Sequence, residues 1–121
     1  MQKFAAALAV VLFVSVPAYA HHGWGTYQDK EFEVSGTVAA LVSLQGPHAT
    51  MRIKDAEGHV WDITMAPPNR TQAAGLKEGM IPLGAPVTLH GHRAKDMKRF
   101  EVKTERLTWN GKVYNVYPDR D

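Results

Sequence analysis

Histidines at two places in this 121-residue chain have a spacing suited to binding a metal ion. His21 and His22 are adjacent, and His90 and His92 are separated by a single glycine. The chain has six histidines and no cysteine, so a metal site would draw on imidazole, carboxylate, thioether and backbone ligands. Nitrogen-rich sites favour copper(II), which heads the divalent affinity order. The sequence therefore predicts a metal site, with copper as the expected ion.

A segment typical of a secretory signal peptide precedes the first histidine pair. Lys3 is followed by an apolar stretch at 4–16, and Ala18-Tyr19-Ala20 has the small residues of a cleavage site. We expect cleavage after Ala20 and export to a bacterial periplasm, because the chain lacks cysteine for disulfides or lipidation. Cleavage would give His21 a free α-amine, which can chelate copper(II) together with the imidazole Nδ1 of the same residue.

The other histidine candidates depend on where the fold places them. Residues two apart on a strand point to the same face, so we expect His90 and His92 to share the outer face of a strand at 87–92. That pair is a stronger candidate if the segment at 21–31 folds across it. His48 ends a Gly-Pro turn and is a candidate ligand at the barrel mouth. The structural alternatives are a solvated polar face and a turn histidine bonded to a nearby carbonyl.

Short strands with one helix are predicted to position these residues. Alternating apolar residues indicate a long strand from Phe32 to Leu44, and Asn69 is suited to cap a short helix through Ala74. Asn110-Gly111 is a strong hairpin signal. Further strands are predicted at 50–54, 60–65, 87–92 and 100–107. This order predicts an all-β fold, a small OB-like barrel of five or six strands with one short helix after strand three. An immunoglobulin-like sandwich is the alternative, but seven strands are hard to find.

Two methionines and a tryptophan form a third group of copper-compatible side chains. Met51, Trp61 and Met65 all point inward in the predicted strands, where such residues are usually part of the core. A copper(I) site of thioethers under an indole ring is the alternative. We expect these three residues to be structural.

Length and charge restrict the domain organisation and the partners. We expect a signal peptide at 1–20, an N-terminal arm at 21–31 and a single β-barrel domain at 32–121. About 100 mature residues suffice for one domain, and their apolar stretches are too short for a membrane span. Basic and acidic residues are dispersed and nearly balanced, so no nucleic-acid partner is expected.

The sequence favours a binding protein over an enzyme, although it leaves enzymatic activity open. No nucleophile elbow, paired-histidine zinc motif or Gly-rich phosphate loop is present. A copper oxidoreductase that uses the terminal histidine is one alternative. Another is a metal-free envelope module that docks a partner protein or a small ligand, because aromatic residues are enriched in binding hot spots. The aromatic residues behind this alternative are Trp24, Tyr27, Trp109, Tyr114 and Tyr117.

Several short motifs follow one another along the chain in an order and spacing that are more specific than any single motif. They are His21-His22, Ser35-Gly36-Thr37-Val38, Pro47-His48, Asp55-Ala56-Glu57-Gly58, Trp61-Asp62-Ile63, Gly91-His92 and Ala94-Lys95-Asp96. Together they resemble a family of small exported bacterial proteins, the domain of unknown function numbered six-one-five-two, over nearly the whole mature chain. Gly46 stands where family members usually have Asn. The resemblance implies export and the fold, and it implies no activity.

A more distant likeness is to the small OB-barrel copper(I) chaperones of periplasmic efflux systems. Their ligand order does not match this chain residue for residue, so the likeness implies a fold and no site. The expected function is that of a periplasmic metal-binding protein that sequesters or delivers copper. Delivery is compatible with a periplasmic or membrane-associated partner protein. The expected ligands are His21, His22, His90 and His92, with His48 as a further candidate.

Overall fold

Alternation of apolar and polar residues builds six strands in this protein. The computed structural model describes residues 23–120, so the predicted signal peptide at 1–20 and the pair His21-His22 lie outside the described residues. The elements in chain order are β1 (Phe32–Ser43), β2 (Thr50–Lys54), β3 (Val60–Thr64), α1 (Pro68–Ala73), β4 (Pro86–Arg93), β5 (Glu101–Trp109), β6 (Lys112–Asn115) and a short 3-10 helix at Pro118–Arg120.

The strands form one sheet that closes on itself. Its order is β3-β2-β1-β4-β5-β6, and a parallel pairing of β3 with β5 completes a five-stranded barrel to which β6 adds as an extra strand. The predicted all-β OB-like barrel, with one short helix after strand three, is confirmed. No helix within residues 23–120 is long and apolar enough to cross a membrane.

The inward faces of the strands form one apolar core. Met51, Trp61 and Met65 are all buried in it, as the alternation predicted. The Trp61 indole Nε1 donates a hydrogen bond of 2.9 Å to the Asp55 carboxylate, so the polar atom of this ring has a partner. These three side chains are therefore part of the packing that supports the barrel.

Strand β1 serves two neighbours because it bends in the middle. Residues 32–37 pair with β4, whereas residues 37–43 pair with β2. Gly36 lies at this change of partner, and a Cβ atom there would be 2.4 Å from the Lys54 carbonyl oxygen. A side chain at this position would force the strands apart, so the glycine permits the bend that the barrel needs.

Local residue preferences determine the β5–β6 hairpin and the first residue of helix α1. Asn110 and Gly111 have φ angles of 50° and 73°, as expected for the two-residue hairpin between β5 and β6. The helix α1 begins at Pro68 rather than at the residue after Asn69, and no side chain caps it. The predicted Asn69 cap is wrong because the Pro67-Pro68 pair already sets the first helical position.

The described part of the N-terminal arm, residues 23–31, lies on the barrel surface beside the end of β4. Tyr27 forms an antiparallel bridge with Ala94. The Gln28 amide donates to the Arg93 carbonyl at 2.8 Å, and the Lys95 amide donates to the Thr26 carbonyl at 3.0 Å. Backbone hydrogen bonds thus fix the arm on both sides of Tyr27.

Candidate functional site

A pocket of about 240 Å³ lies where the N-terminal arm meets the end of β3 and the start of β5. We call it the arm pocket. The half-buried His48 is in its wall, and so is Gly23, the first residue of the described chain. The pocket is lined by Gly23, Thr26, Tyr27, His48, Thr64, Glu101 and Lys103.

One wall of the arm pocket is a tyrosine fixed to a carboxylate. The Tyr27 hydroxyl donates a hydrogen bond of 2.8 Å to Glu101 Oε1, and Arg99 Nη2 lies 3.0 Å from Glu101 Oε2. Burial and the neighbouring Glu101 raise the pKa of Tyr27 to about 12. Tyr27 therefore remains a protonated phenol near neutral pH, and both carboxylate oxygens of Glu101 are engaged.

Lys103 connects the pocket to the start of the described chain. Its ammonium Nζ donates a hydrogen bond of 3.2 Å to the Gly23 carbonyl and lies 4.6 Å from the centroid of the Trp24 ring. Lys103 is only 4% exposed. Burial, and then the charge of Arg120, lower the pKa of its ammonium group. The arm thus covers a cation that alternation alone would place on the outer surface.

The ring of Trp24 holds the arm against the end of the chain. The Arg120 guanidinium lies 3.8 Å from its centroid, close enough for a cation–π interaction. The rings of Tyr117 and His92 approach it edge-on, with centroids 5.1 Å and 5.5 Å away. Together with Lys103 these contacts fix Trp24 from several directions.

His92 uses both of its ring nitrogens within the fold. Nδ1 lies 2.8 Å from the Gln28 carbonyl, and Nε2 lies 2.5 Å from Glu105 Oε1. A carbonyl oxygen only accepts, so the ring donates through Nδ1 in this contact, and Nε2 faces the carboxyl group of Glu105. His92 is 7% exposed and Glu105 is 1% exposed. His92 could bind a metal ion only after losing one of these bonds.

A β-bulge explains why Glu105 faces His92. His90 pairs with Arg106 and Gly91 pairs with Thr104, so Glu105 is an extra residue on β5. Its backbone carbonyl accepts a hydrogen bond of 2.9 Å from the Val116 amide. The bulge re-aims the side chain toward β4, and alternation in the sequence gives no sign of it.

His90, the other member of the pair, has a different environment. Its Nε2 lies 3.0 Å from Glu31 Oε2, although the two groups are not aligned as a hydrogen bond. Its cross-strand neighbours are Glu33 and Arg106. Between residues 23 and 120, no group of three or more His, Cys, Asp or Glu side chains is arranged to hold a metal ion.

The aromatic residues that suggested a docking surface are largely used inside the molecule. Tyr114 and Tyr117 are buried. Trp24 and Tyr27 pack between the arm and the barrel, and Trp109 lies against the core. Sequence reasoning treated Tyr27 as a hot-spot aromatic and missed its bond to Glu101, because 74 residues separate the two.

A model of a known protein family matches this chain. The model of the family of unknown function DUF6152 matches residues 8–103. This chain belongs to that family. The match begins before the arm and ends within β5, so it includes His48, His90 and His92 as well as the pair His21-His22. A comparison with curated proteins gives no match.

Two solved structures are similar to the DUF6152 chain in fold. A chain of the S. pombe Stn1–Ten1 complex has 13% identity and a TM-score of 0.49, over 68% of this chain and 59% of that one. A ZRD-deleted mutant of TiaS in complex with agmatine has 15% identity and a TM-score of 0.50, over 72% of this chain and 26% of that one. This chain therefore spans just over half of the first structure and about a quarter of the second.

Proposed function

We propose that this protein is a periplasmic copper-binding protein that holds the ion at the arm pocket, for sequestration or delivery. The proposed ligands are the α-amine and imidazole of His21 with the imidazoles of His22 and His48. One observation carries the proposal: Gly23, the residue directly after the histidine pair, lines the same pocket as His48. His90 and His92 are left out of this set because of their contacts with Glu31 and with Gln28 and Glu105.

The length of the chain supports this assignment. Each residue extends a chain by at most about 3.6 Å, so a residue two positions before Gly23 is within roughly 7 Å of it in any conformation. A histidine side chain adds further reach. The pocket volume of about 240 Å³ is also several times that of one water molecule, so it can admit an imidazole with an ion.

The charges around the pocket favour a metal that prefers neutral nitrogen ligands. Glu101 is paired with Arg99 and bonded to Tyr27, and Lys103 brings a cation. Calcium and magnesium are commonly held by several carboxylates, and among the described residues this pocket is lined by a single one, Glu101, which already has partners. Copper(II) accepts amine and imidazole ligands in a tetragonal geometry and binds them more tightly than other divalent ions.

The predicted signal peptide supports the periplasmic part of the proposal. Cleavage after Ala20 would create the amino-terminal histidine in the same compartment where the site would operate. A protein without cysteine has no thiols to be oxidised, so the absence of cysteine is compatible with an oxidising compartment.

Copper(II) titration of the protein beginning at His21, against a competing chelator, tests the proposal. We expect His48→Ala and the double variant H21A/H22A each to lose at least about tenfold in affinity, the loss typical even for a residue that only supports a ligand. Placing one extra residue before His21 should also weaken binding, because it displaces the α-amine.

The matched control is His59→Ala. His59 lies after the β2–β3 turn, its side chain is 43% exposed, and it stacks on Phe100 outside the arm pocket. Its removal should leave the copper affinity unchanged. The proposal fails if wild-type protein binds copper no tighter than a peptide of residues 21–26, or if His48→Ala binds as the wild type does. Reductant-dependent oxygen consumption by the loaded protein would favour an oxidoreductase instead.

A further inference from the structure

We infer that the outer face of strands β1, β2 and β3 binds a neutral oligosaccharide. A groove of about 430 Å³ crosses this face, within the range of roughly 300 to 1,000 Å³ that is typical of small-molecule sites. We call it the strand groove. The inference goes beyond the proposed copper site, because His48 lines the arm pocket rather than this groove. The polar floor of the groove consists of Ser43, Thr50, Thr64, Arg52, Asp62 and Glu101.

A row of hydroxyl groups crosses the strand groove on three neighbouring strands. Ser43 is the cross-strand partner of Thr50, and Thr50 is in turn the partner of Thr64. Directly opposite residues have Cβ atoms about 4.5 to 5.5 Å apart, so the three hydroxyls form a short ladder. Each hydroxyl both donates and accepts hydrogen bonds, as the hydroxyl groups of a sugar do. The row therefore offers matching partners to one edge of a saccharide.

The next row of outward residues carries charges of both signs in equal number. Arg52 is the cross-strand partner of Asp62, and Asp62 is the partner of Glu101 on β5. The Arg52 Nε donates a hydrogen bond of 2.8 Å to Asp62 Oδ1. The second arginine of the groove, Arg99, places its Nη2 3.0 Å from Glu101 Oε2. Two arginines and two carboxylates give the groove lining no net charge.

This balance of charge favours a neutral ligand over a nucleic acid. Nucleic-acid binding depends on cations that neutralise phosphates, and both arginines of the strand groove already face carboxylates. OB-type barrels bind oligonucleotides and oligosaccharides on such a face, so the charges decide between the two classes. A guanidinium group has five N–H donors and a carboxylate has two acceptor oxygens. The bond between Arg52 and Asp62 uses one of each, which leaves both planar groups able to bind neighbouring hydroxyls of a sugar.

The residues of the groove are also accessible to a ligand. The Arg52 and Asp62 side chains are 61% and 63% exposed. Leu41 is 42% exposed and lines the same groove, where the register of β1 shifts between Ala40 and Ser43. Its apolar side chain can pack on the C–H face of a sugar ring. A peptide strand is a poorer fit, because it would need a free strand edge and β2 is paired on both sides.

Nuclear magnetic resonance of the metal-free protein beginning at His21 tests the inference. Chitotetraose, cellotetraose and maltotetraose are added in turn at about 10 mM, a concentration that nearly saturates a site with a dissociation constant of about 1 mM. We expect at least one of them to shift the backbone amide signals of Thr50, Arg52 and Thr64. Its affinity should not change between about 50 and 200 mM salt, because a neutral ligand releases no counterions.

Two variants of exposed groove residues assign the binding. Thr50→Val removes one hydroxyl and should weaken binding about two- to tenfold, as for a neutral hydrogen bond, whereas Arg52→Met should weaken it at least about tenfold. The matched controls are Thr37→Val, an exposed threonine of β1 that lines a different pocket, and Arg70→Met, an exposed arginine of α1 that lies 3.4 Å from Asp119. Both controls should bind the saccharide as the wild type does.

The inference is overturned if none of the three saccharides shifts the groove signals, or if Thr50→Val and Arg52→Met both bind as tightly as the wild type. A short oligothymidylate that shifts these signals when the saccharides do not would also overturn it, and would assign the groove to nucleic acid. Copper titration of the same protein is a separate measurement. The proposed function and this inference can therefore fail independently.

Discussion

His48 and His92 both lie next to the N-terminal arm, yet the structure gives them different surroundings. His92 is buried and bonded through both ring nitrogens, to Gln28 and to Glu105. His48 is half-buried in the wall of a pocket that also contains Gly23. His92 helps to attach the arm to the barrel, and His48 lies beside the first described residue of the arm. The spacing of histidines in a sequence indicates shared faces, but the partners of each ring determine its role.

We expect the largest effect on stability from a substitution at Gly91, which lies between His90 and His92. A Cβ atom there would lie 2.0 Å from the Lys103 carbonyl oxygen, so Gly91→Ala must separate β4 from β5. We expect the free energy of unfolding, measured in urea, to fall by about 4 kcal/mol or more.

The control for Gly91→Ala is Gly84→Ala. Gly84 has a φ of 82° and open space around its Cβ position, so this change should cost only the left-handed strain of about 1 to 2 kcal/mol. Equal losses of stability in the two variants would contradict the view that β4 and β5 lie too close together at Gly91 to admit a side chain.

The next largest effect comes from replacing His92 by alanine, and the same change at His48 gives a direct comparison. His92→Ala leaves Glu105 buried without its partner, and breaking a buried pair in this way typically costs about 3 to 5 kcal/mol. His48→Ala should cost less than about 1 kcal/mol, as for a partly exposed residue outside the core. Urea unfolding of the metal-free variants measures both. A loss at His48 as large as that at His92 would remove the distinction between a structural and a pocket histidine.

The smallest effect concerns the pocket wall at Tyr27. Its pKa is about 12 in the fold against 10.0 for a free phenol, so its contribution is present below pH 10.0 and is lost as pH rises through about 12. Tyr27→Phe should be less stable by about 1 kcal/mol below pH 10.0, because it lacks the hydrogen bond to Glu101. The difference between the two proteins should shrink above pH 10.0 and reverse in sign by about pH 12, because the ionised Tyr27 is disfavoured by burial and by Glu101 whereas phenylalanine does not titrate.

Ultraviolet absorbance of the phenolate measures the same group independently. Subtracting the Tyr27→Phe titration from that of the wild type isolates one of the four tyrosines. A Tyr27 that ionises near pH 10.0 would show that the Glu101 bond does not persist in solution.

The sequence correctly indicated which side of the strands faces the core and where the β5–β6 hairpin lies. Alternation predicted the strands within one or two residues and placed Met51, Ile53 and Ile63 correctly in the core. Asn110-Gly111 predicted its hairpin, since a turn of this kind depends only on local backbone preferences. Such features need no knowledge of distant residues.

The arrangement of the candidate site could not be predicted in the same way. Lys103 reads as an outward residue of β5, and it is buried because the arm covers that face. Glu105 faces His92 because of a bulge, which alternation does not reveal. The shared pocket of Gly23 and His48 depends on how the arm docks, a long-range contact that no local pattern encodes. The arm does cross the histidine face, but its effect there is to bury His92.

The contact between Trp24 and Arg120 has a practical consequence for work with recombinant protein. The guanidinium lies 3.8 Å from the ring, so any sequence appended after residue 120 emerges beside the arm. A carboxyl-terminal polyhistidine tag or fusion partner would thus add foreign donors next to the arm itself.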